Sequence, residues 1–259
     1  MPLTLAFIGY GEVGQLFARQ LTARGAQVSV HDVKALGDIA APDGVQFAPG
    51  LAEAVDGAEI VVSAVTADQA EPAAHAAAPH LRAGQIYVDL NSVSPNTKRA
   101  VARTLGGLDF VEFAVMAPVA GLGIAAPVLA GGPRAQDVAA QPNPFGMKID
   151  VVSAEIGVAS STKLCRSLVI KGLEAIMVDL SRAAPRAGVA EGVLASLTAS
   201  YPGMPWADIM ATMPPRVARH GKRRAAEMRE AATMLEELGL SGAFARAIAD
   251  SHEAYAEGA

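Results

Sequence analysis

The run Gly9-Tyr10-Gly11-Glu12-Val13-Gly14 constrains this chain more than any other feature, because of what flanks it. An apolar segment, Leu3 to Ile8, reads as a buried strand leading into it, and Val13, Leu16, Phe17 and Leu21 then recur at helical spacing. A G-x-G-x-x-G at a strand-to-helix junction is a dinucleotide-binding turn. Gly9 permits the tight turn, Gly11 lets a pyrophosphate approach the backbone, and Gly14 lets the helix pack on the sheet. Free N–H groups at the helix start face the phosphates, and Tyr10, Glu12 and Val13 join the three glycines as expected cofactor-binding residues. Gly25 stops the helix, and a second strand, Ala26 to Val30, leads to His31-Asp32. Asp32 stands where a carboxylate accepts hydrogen bonds from the adenosine ribose. Such a carboxylate repels a 2′-phosphate, so NAD is the expected cofactor; NADP is the alternative, with Lys34 as the counter-signal. Val65 and Thr66, at the end of a later apolar strand, complete the expected cofactor-binding set.

The 259 residues leave room for one large domain or two smaller ones, and 51% hydrophobic against 18% charged residues is ordinary for a globular protein. A net charge of −5 supplies no global attraction for nucleic acid or an anionic membrane. No apolar stretch is long enough to span a bilayer, and the N-terminus enters a strand without a basic leader, so a cytoplasmic protein is expected. Cys165 is the only cysteine, which excludes an internal disulfide and a cysteine-based zinc site. No metal site is expected, and Cys165 reads as a small buried apolar residue.

Past Asp32, strands alternate with helices as a parallel sheet requires, at Val45 to Phe47, Glu59 to Val65 and Gln85 to Leu90; Leu108 to Phe113, Pro127 to Ala130 and Met147 to Val152 read as further strands with no long helices between them, and the sheet ends there. Helices are expected over Gln69 to Arg82 and from Ser94 to Thr104, the latter with Pro95 at its first position. From Glu155 onward strand signals vanish. A long helix is expected from about Ile156 to Ala184, stopped near Pro185, followed by shorter helices punctuated by Tyr201-Pro202-Gly203, Pro214-Pro215 and Gly239. The expected fold is α/β, a Rossmann dinucleotide-binding domain over residues 1–154 followed by a small all-helical domain over 155–259, with the long helix as the joint.

This order of parts resembles the β-hydroxyacid dehydrogenases and their relatives, the 6-phosphogluconate dehydrogenase-like superfamily, across essentially the whole chain. Four segments carry the likeness. IGYGEVG is similar to the N-terminal glycine motif; Asp89-Leu90-Asn91-Ser92-Val93-Ser94-Pro95 to the family's D-x-S-T-x-x-P segment beside substrate and nicotinamide. Val111 to Gly121 stands where the family has D-A-P-V-S-G-G, and Gly157 to Lys163 resembles the G-x-G-x-x-x-K segment that carries its catalytic lysine. The VMAPVAG and RSLVIKGLEA stretches resemble a branch of dehydrogenases with a shortened C-terminal domain. There are departures. Arg166 and Ser167 replace the family's Asn or His and its Asn after the lysine; Met116, Ala117 and Pro118 replace a Ser-Gly-Gly whose N–H groups hold a carboxylate, and proline has no N–H. The resemblance implies a homodimer built through the helical domain, with an active site near the subunit interface.

Taken with that resemblance, Lys163 is the expected general acid/base, its pKa lowered by the positive end of the long helix and by a closed cleft. Ser167, Ile170 and Glu174 share its helical azimuth, so a polar line runs down an apolar helix, and Ser167 is a candidate substrate-binding residue. Asn91 and Ser92, at a strand's carboxyl end, are expected to meet substrate or the nicotinamide carboxamide; capping the next helix is the bland alternative, a role Ser94 fits better. In the basic run Arg216, Arg219, His220, Lys222, Arg223, Arg224, Arg223 is the nearest match to a late lysine of the superfamily and a candidate for an acidic substrate group. A solvated face paired with Glu227 and Glu230 is the competing reading. Met204, Trp206, Met210 and Met213 are expected to be core. The expected function is hydride transfer between nicotinamide and a small-molecule alcohol/carbonyl pair. An imine or opine-type C=N reductase is the first alternative, and a nucleotide-binding protein without chemistry the second.

Overall fold

The computed structural model describes residues 2–34 and 44–258. The chain forms two compact units, Met1–Lys163 and Leu164–Ala259. The division falls inside the long helix, after Lys163, rather than at residue 154 ahead of it. Its cause is local: the first turn of that helix is hydrogen-bonded to a strand of the first unit, as described below.

The first unit is an eight-stranded sheet ordered β3-β2-β1-β4-β5-β6-β7-β8. The strands are β1 (Thr4–Ile8), β2 (Gln27–His31), β3 (Val45–Phe47), β4 (Ile60–Ser63), β5 (Ile86–Asp89), β6 (Asp109–Val115), β7 (Pro127–Gly131) and β8 (Lys148–Ser153). Its helices are α1 (Glu12–Thr22), α2 (Leu51–Val55), α3 (Ala70–Ala77), α4 (Pro95–Thr104), α5 (Val119–Leu122) and α6 (Ala135–Ala140). The chain runs outward from β1 to β3 and returns to β4 on β1's other side, which creates the crevice where open α/β sheets bind ligands. All pairings are parallel except β6 with β7. That exception falls where no long helix is expected between strands: the 116–126 connection holds only a four-residue helix and a 3₁₀ turn, too little for a parallel crossover.

Strand periodicity sorts the core to both faces of this sheet. Leu5 and Phe7 pack with Phe17 and Leu21 of α1 on one face, while Ala6 and Ile8 pack with Ala70, Ala74 and Val101 on the other. Register then sets the functional edge: Ile8 stands level with His31 and Ser63, Ser63 with Asp89, and Asp89 with Glu112. In this cross-sheet row Ile8, His31, Ser63 and Asp89 end their strands at the loops of the candidate site, while Glu112 lies mid-strand in β6.

The second unit is helical: the greater part of α7 (Val158–Arg186), then α8 (Ala190–Ser200), α9 (Trp206–Glu237) and α10 (Ala243–Glu257). Its core joins Leu164 and Ala175 of α7 to Ala225, Met228 and Ala232 of α9 and to Ile248 and Ala249 of α10. Three expectations are corrected here. Pro214-Pro215 does not end a helix; α9 runs through it. Two prolines remove the donors for the carbonyls of Met210 and Ala211, but Met210 is half-buried and Ala211 exposed, so water can replace them. Cys165 is exposed, because it lies between the inward positions Leu164 and Ser167 on the outer face of α7. Met204 is 38% exposed, and Trp206, Met210 and Met213 are only half-buried, since α8 buries none of its own residues over them.

His252 of α10 is fully buried, its Nε2 3.1 Å from the carbonyl oxygen of Lys171. Burial holds the imidazole's pKa down to about 4, with the nearby Arg224 and Lys171 cations adding to the effect and the backbone hydrogen bond opposing it. Histidine in the unfolded chain titrates near ~6.5. Between that pH and about 4 the unfolded state therefore takes up a proton that the folded state refuses. His252 contributes stability that is full above ~6.5 and is lost as pH falls through the window, about 3 kcal/mol in all. Unfolding free energies of the parent and His252→Gln from pH 7.5 to 4 check this: the difference between them must shrink on acidification, and a constant difference refutes it.

Candidate functional site

The glycine turn joins β1 to α1. Gly9 has φ +98° and donates its N–H to the His31 carbonyl at 2.8 Å. A Cβ there would lie 2.5 Å from the Ala64 carbonyl oxygen, so the position tolerates only glycine. Gly14 is buried against the same turn. Gly11 differs: among the described residues nothing lies within 4 Å of where its Cβ would stand, and no side chain caps α1. The first-turn N–H groups, from Glu12 onward, thus border open space at the helix's positive end, a cradle that suits a pyrophosphate. Asp32, half-buried at the end of β2, accepts from the Tyr10 N–H through Oδ2 at 2.7 Å and from the Lys34 N–H through Oδ1 at 2.8 Å. Each oxygen keeps lone-pair capacity for a ribose hydroxyl. The residues present fit a dinucleotide.

At the ends of β4 and β5 the structure separates residues that the sequence grouped. Thr66 is exposed and Val65 half-buried. The Val65 N–H is already taken, donating to Asn91 Oδ1 at 2.8 Å. Asn91 is buried, and its Nδ2 donates to Ser63 Oγ at 3.0 Å and to Asp89 Oδ2 at 3.3 Å. Its side chain is committed inside the protein and does not point an amide outward. Ser92 is different, since its Oγ is buried with no hydrogen-bond partner among the described residues. Ser94, as expected, caps α4 by accepting from the Thr97 N–H at 3.2 Å.

Two charged residues that the sequence reading passed over lie beneath this edge. Lys98 of α4 and Asp89 form an ion pair at 2.5 Å in which neither side chain is exposed. Glu112 of β6, also fully buried, accepts from the N–H groups of Gly157 at 2.7 Å, Ala159 at 3.0 Å and Ser160 at 3.4 Å. It thereby caps the start of α7, where a carboxylate meets the helix's orphan donors and its positive end. Gly157, at φ +106°, makes the turn into that helix, and a Cβ on it would strike the Arg99 guanidinium at 2.7 Å. Lys163 follows on the second turn, half-buried. Both charges left a trace in the sequence. Lys98 occupies the buried stripe Pro95, Lys98, Val101 of its helix, and Glu112 interrupts an apolar strand.

In the helical unit the polar line of α7 is real and is matched from α9. Ser167 donates to Glu227 at 2.6 Å, Lys171 pairs with Glu227 at 2.9 Å, and Glu174 pairs with Arg224 at 2.5 Å, with Arg216 at 3.6 Å. Burial pushes the Glu174 carboxyl up, against the pull of Arg224, Lys171 and Arg216, and pushes the Arg224 guanidinium down, against the pull of Glu174. Arg223, the sequence candidate, is exposed; the inward guanidinium is its neighbour Arg224. His220 is exposed as well. Among the described residues no group of three or more His, Cys, Asp or Glu could hold a metal ion, and no helix is long and apolar enough to cross a membrane.

A family model described as the NAD binding domain of 6-phosphogluconate dehydrogenase matches residues 4–142, over half of the chain. The chain belongs to that family. A domain of unknown function, DUF1932, matches residues 184–255. Among solved structures, a conserved hypothetical protein from Sinorhizobium meliloti 1021 is 36% identical, with a TM-score of 0.83 over 99% of this chain and 89% of that one. The conserved protein MTH1747, described as similar in structure to 3-hydroxyacid dehydrogenases, is 30% identical, with a TM-score of 0.76 over 98% of both chains. The 3-hydroxyisobutyrate dehydrogenase of Pseudomonas aeruginosa is 25% identical over 94% of this chain and 86% of its own. As that family model describes, the Rossmann unit is an NAD(P)-binding domain.

Proposed function

We propose that this protein is an NAD(H)-dependent dehydrogenase or reductase that interconverts a small-molecule alcohol and its carbonyl compound, with Lys163 as general acid/base. The observation that carries this reading is the anchoring of α7. A buried carboxylate on β6 holds the helix's first N–H groups, so a lysine two turns in is set by the same sheet whose carboxyl edge forms the dinucleotide site.

The bound nicotinamide supplies the hydride acceptor or donor. In oxidation the Lys163 amine takes the hydroxyl proton as the carbon loses hydride and the carbonyl forms; in reduction its ammonium returns that proton to the oxygen. Gly11 and the first turn of α1 receive the pyrophosphate, and Asp32 the adenosine ribose. Ser92, whose buried hydroxyl has no partner among the described residues, is the group left for the substrate or the carboxamide, whereas Asn91 acts indirectly by holding the Val65 loop. Ser167 and Arg224 belong to the buried ladder between α7 and α9, and Arg223 has no assigned part.

Asp32 favours NADH over NADPH. Fluorescence titration with both reduced cofactors tests this, and tighter NADPH binding overturns it. A panel of hydroxy acids, keto acids and imines, followed by nicotinamide absorbance, tests the reaction. Turnover of C=N substrates alone would establish the imine reductase alternative, and cofactor binding without turnover the non-catalytic one. The same reading includes a homodimer, supported by the apolar surface that α8 leaves open at Val189, Tyr201 and Met204. A single-chain mass by sedimentation at micromolar concentration refutes the pairing.

A further inference from the structure

We propose that Lys98, Asp89 and Asn91 form a buried positioning cluster that locks the two loops at the carboxyl ends of β4 and β5 for the nicotinamide half of the cofactor. The inference rests on the dinucleotide reading given above and adds residues to it.

The cluster is built around one ammonium. Lys98 Nζ has three donors, and three oxygens lie in reach: Asp89 Oδ1 at 2.5 Å, Asn91 O at 2.8 Å and Asp89 O at 2.9 Å, with Phe113 O further off at 3.5 Å. The two nearer carbonyls belong to the turn that follows β5. Without a cation between them, these oxygens would repel each other in a space that water does not enter. Asp89 then takes the Asn91 N–H at 2.9 Å through Oδ1 and the Asn91 amide at 3.3 Å through Oδ2. Asn91 passes the connection across the sheet, through Nδ2 to Ser63 Oγ and through Oδ1 to the Val65 N–H. A continuous polar chain therefore runs from α4, under the β5 turn, to the β4 turn. What it fixes is the backbone of residues 64–66 and the position of Ser92, whose buried hydroxyl has no partner among the described residues.

Stability alone does not account for this arrangement. Both charges are fully buried, and replacing such a pair with apolar residues of the same volume is often neutral or stabilising. What an apolar pair cannot do is aim three carbonyls and an asparagine. The strand order gives this aim a target: β2 and β1 carry Asp32 and the glycine turn on one side of the switch point, and β4 and β5 carry the locked loops on the other. A dinucleotide spanning that crevice places one half over each side.

The test uses two ligands that differ only at the nicotinamide end, NADH and ADP-ribose. Lys98→Met alone would strand the Asp89 carboxylate, so the variant is Lys98→Met/Asp89→Asn, which removes both charges. Its NADH affinity is expected to fall about tenfold or more while ADP-ribose affinity stays at the parent value. Equal losses for both ligands mean a general structural defect and overturn the proposal, as does unchanged binding of both. If the double variant melts below the working temperature, Asn91→Ala, which cuts the tie to Val65, faces the same criterion. A parent protein that binds neither ligand refutes the dinucleotide reading itself, a result distinct from any of these.

Discussion

Gly11→Asp should leave the protein as stable as its parent or slightly more so, and yet abolish useful cofactor binding. The two effects separate because of the geometry at this one residue. Gly11 has extended backbone angles, φ −76° and ψ −168°, that any residue adopts, and its missing Cβ faces open space. It is also the N-cap of α1, a position that Asp fills better than Gly by a few tenths of about 1 kcal/mol. The new carboxylate would occupy the pyrophosphate's approach. At about 4 Å and an effective dielectric constant near 20, the repulsion between two unit charges is about 4 kcal/mol, or roughly 10³-fold in affinity. Thermal melts together with NADH titration decide the matter. Loss of stability would mean that the turn is closed by contacts, and retained affinity would mean that no phosphate lies there.

Lys163→Met is expected to reduce turnover by about 10²- to 10⁴-fold on whichever substrate the panel identifies, the range for loss of a general acid/base, with NADH affinity unchanged. Methionine keeps the length of the stem and removes the amine. Lys163→Arg should not restore the rate, since a guanidinium stays protonated and cannot accept the hydroxyl proton. The helix start does not depend on the lysine, because Glu112 holds it through Gly157, Ala159 and Ser160. A folding defect therefore should not confuse the result. Near-parent rates for both variants would remove Lys163 from the chemistry and leave Ser167 and His220 as the next residues to vary.

The residues of the dinucleotide turn were legible because their requirement is local: a positive φ at Gly9 and an open approach at Gly11 depend on a few neighbouring residues. Asn91 was less so. Its residue type and its place at a strand end suit substrate binding, and nothing nearby in the sequence reveals that Val65 and Ser63 have already taken its amide. Arg223 and Arg224 differ by one position, about 100° of helical azimuth. Which of two adjacent arginines turns inward depends on where Glu174 lies, 50 residues away. Lys98 and Glu112 broke the apolar pattern of their own elements, a signal that each would be buried but silent about its partner.

The sequence by itself determined the parallel glycine-turn part of the first unit and its ligand class. Strand alternation, a glycine turn and a strand-terminal carboxylate are written in contiguous residues whose backbone preferences need no distant help. Tertiary structure alone decided that β7 runs antiparallel to β6, that α9 passes through Pro214-Pro215, and that the buried charges Lys98, Glu112, Glu174 and Arg224 are tolerated. The reason is physical. A buried charge is affordable only when its hydrogen-bond partners arrive with it, and Glu112 finds its donors 45 residues further along the chain. Only folding brings those groups together, and with them the start of the helix that carries Lys163.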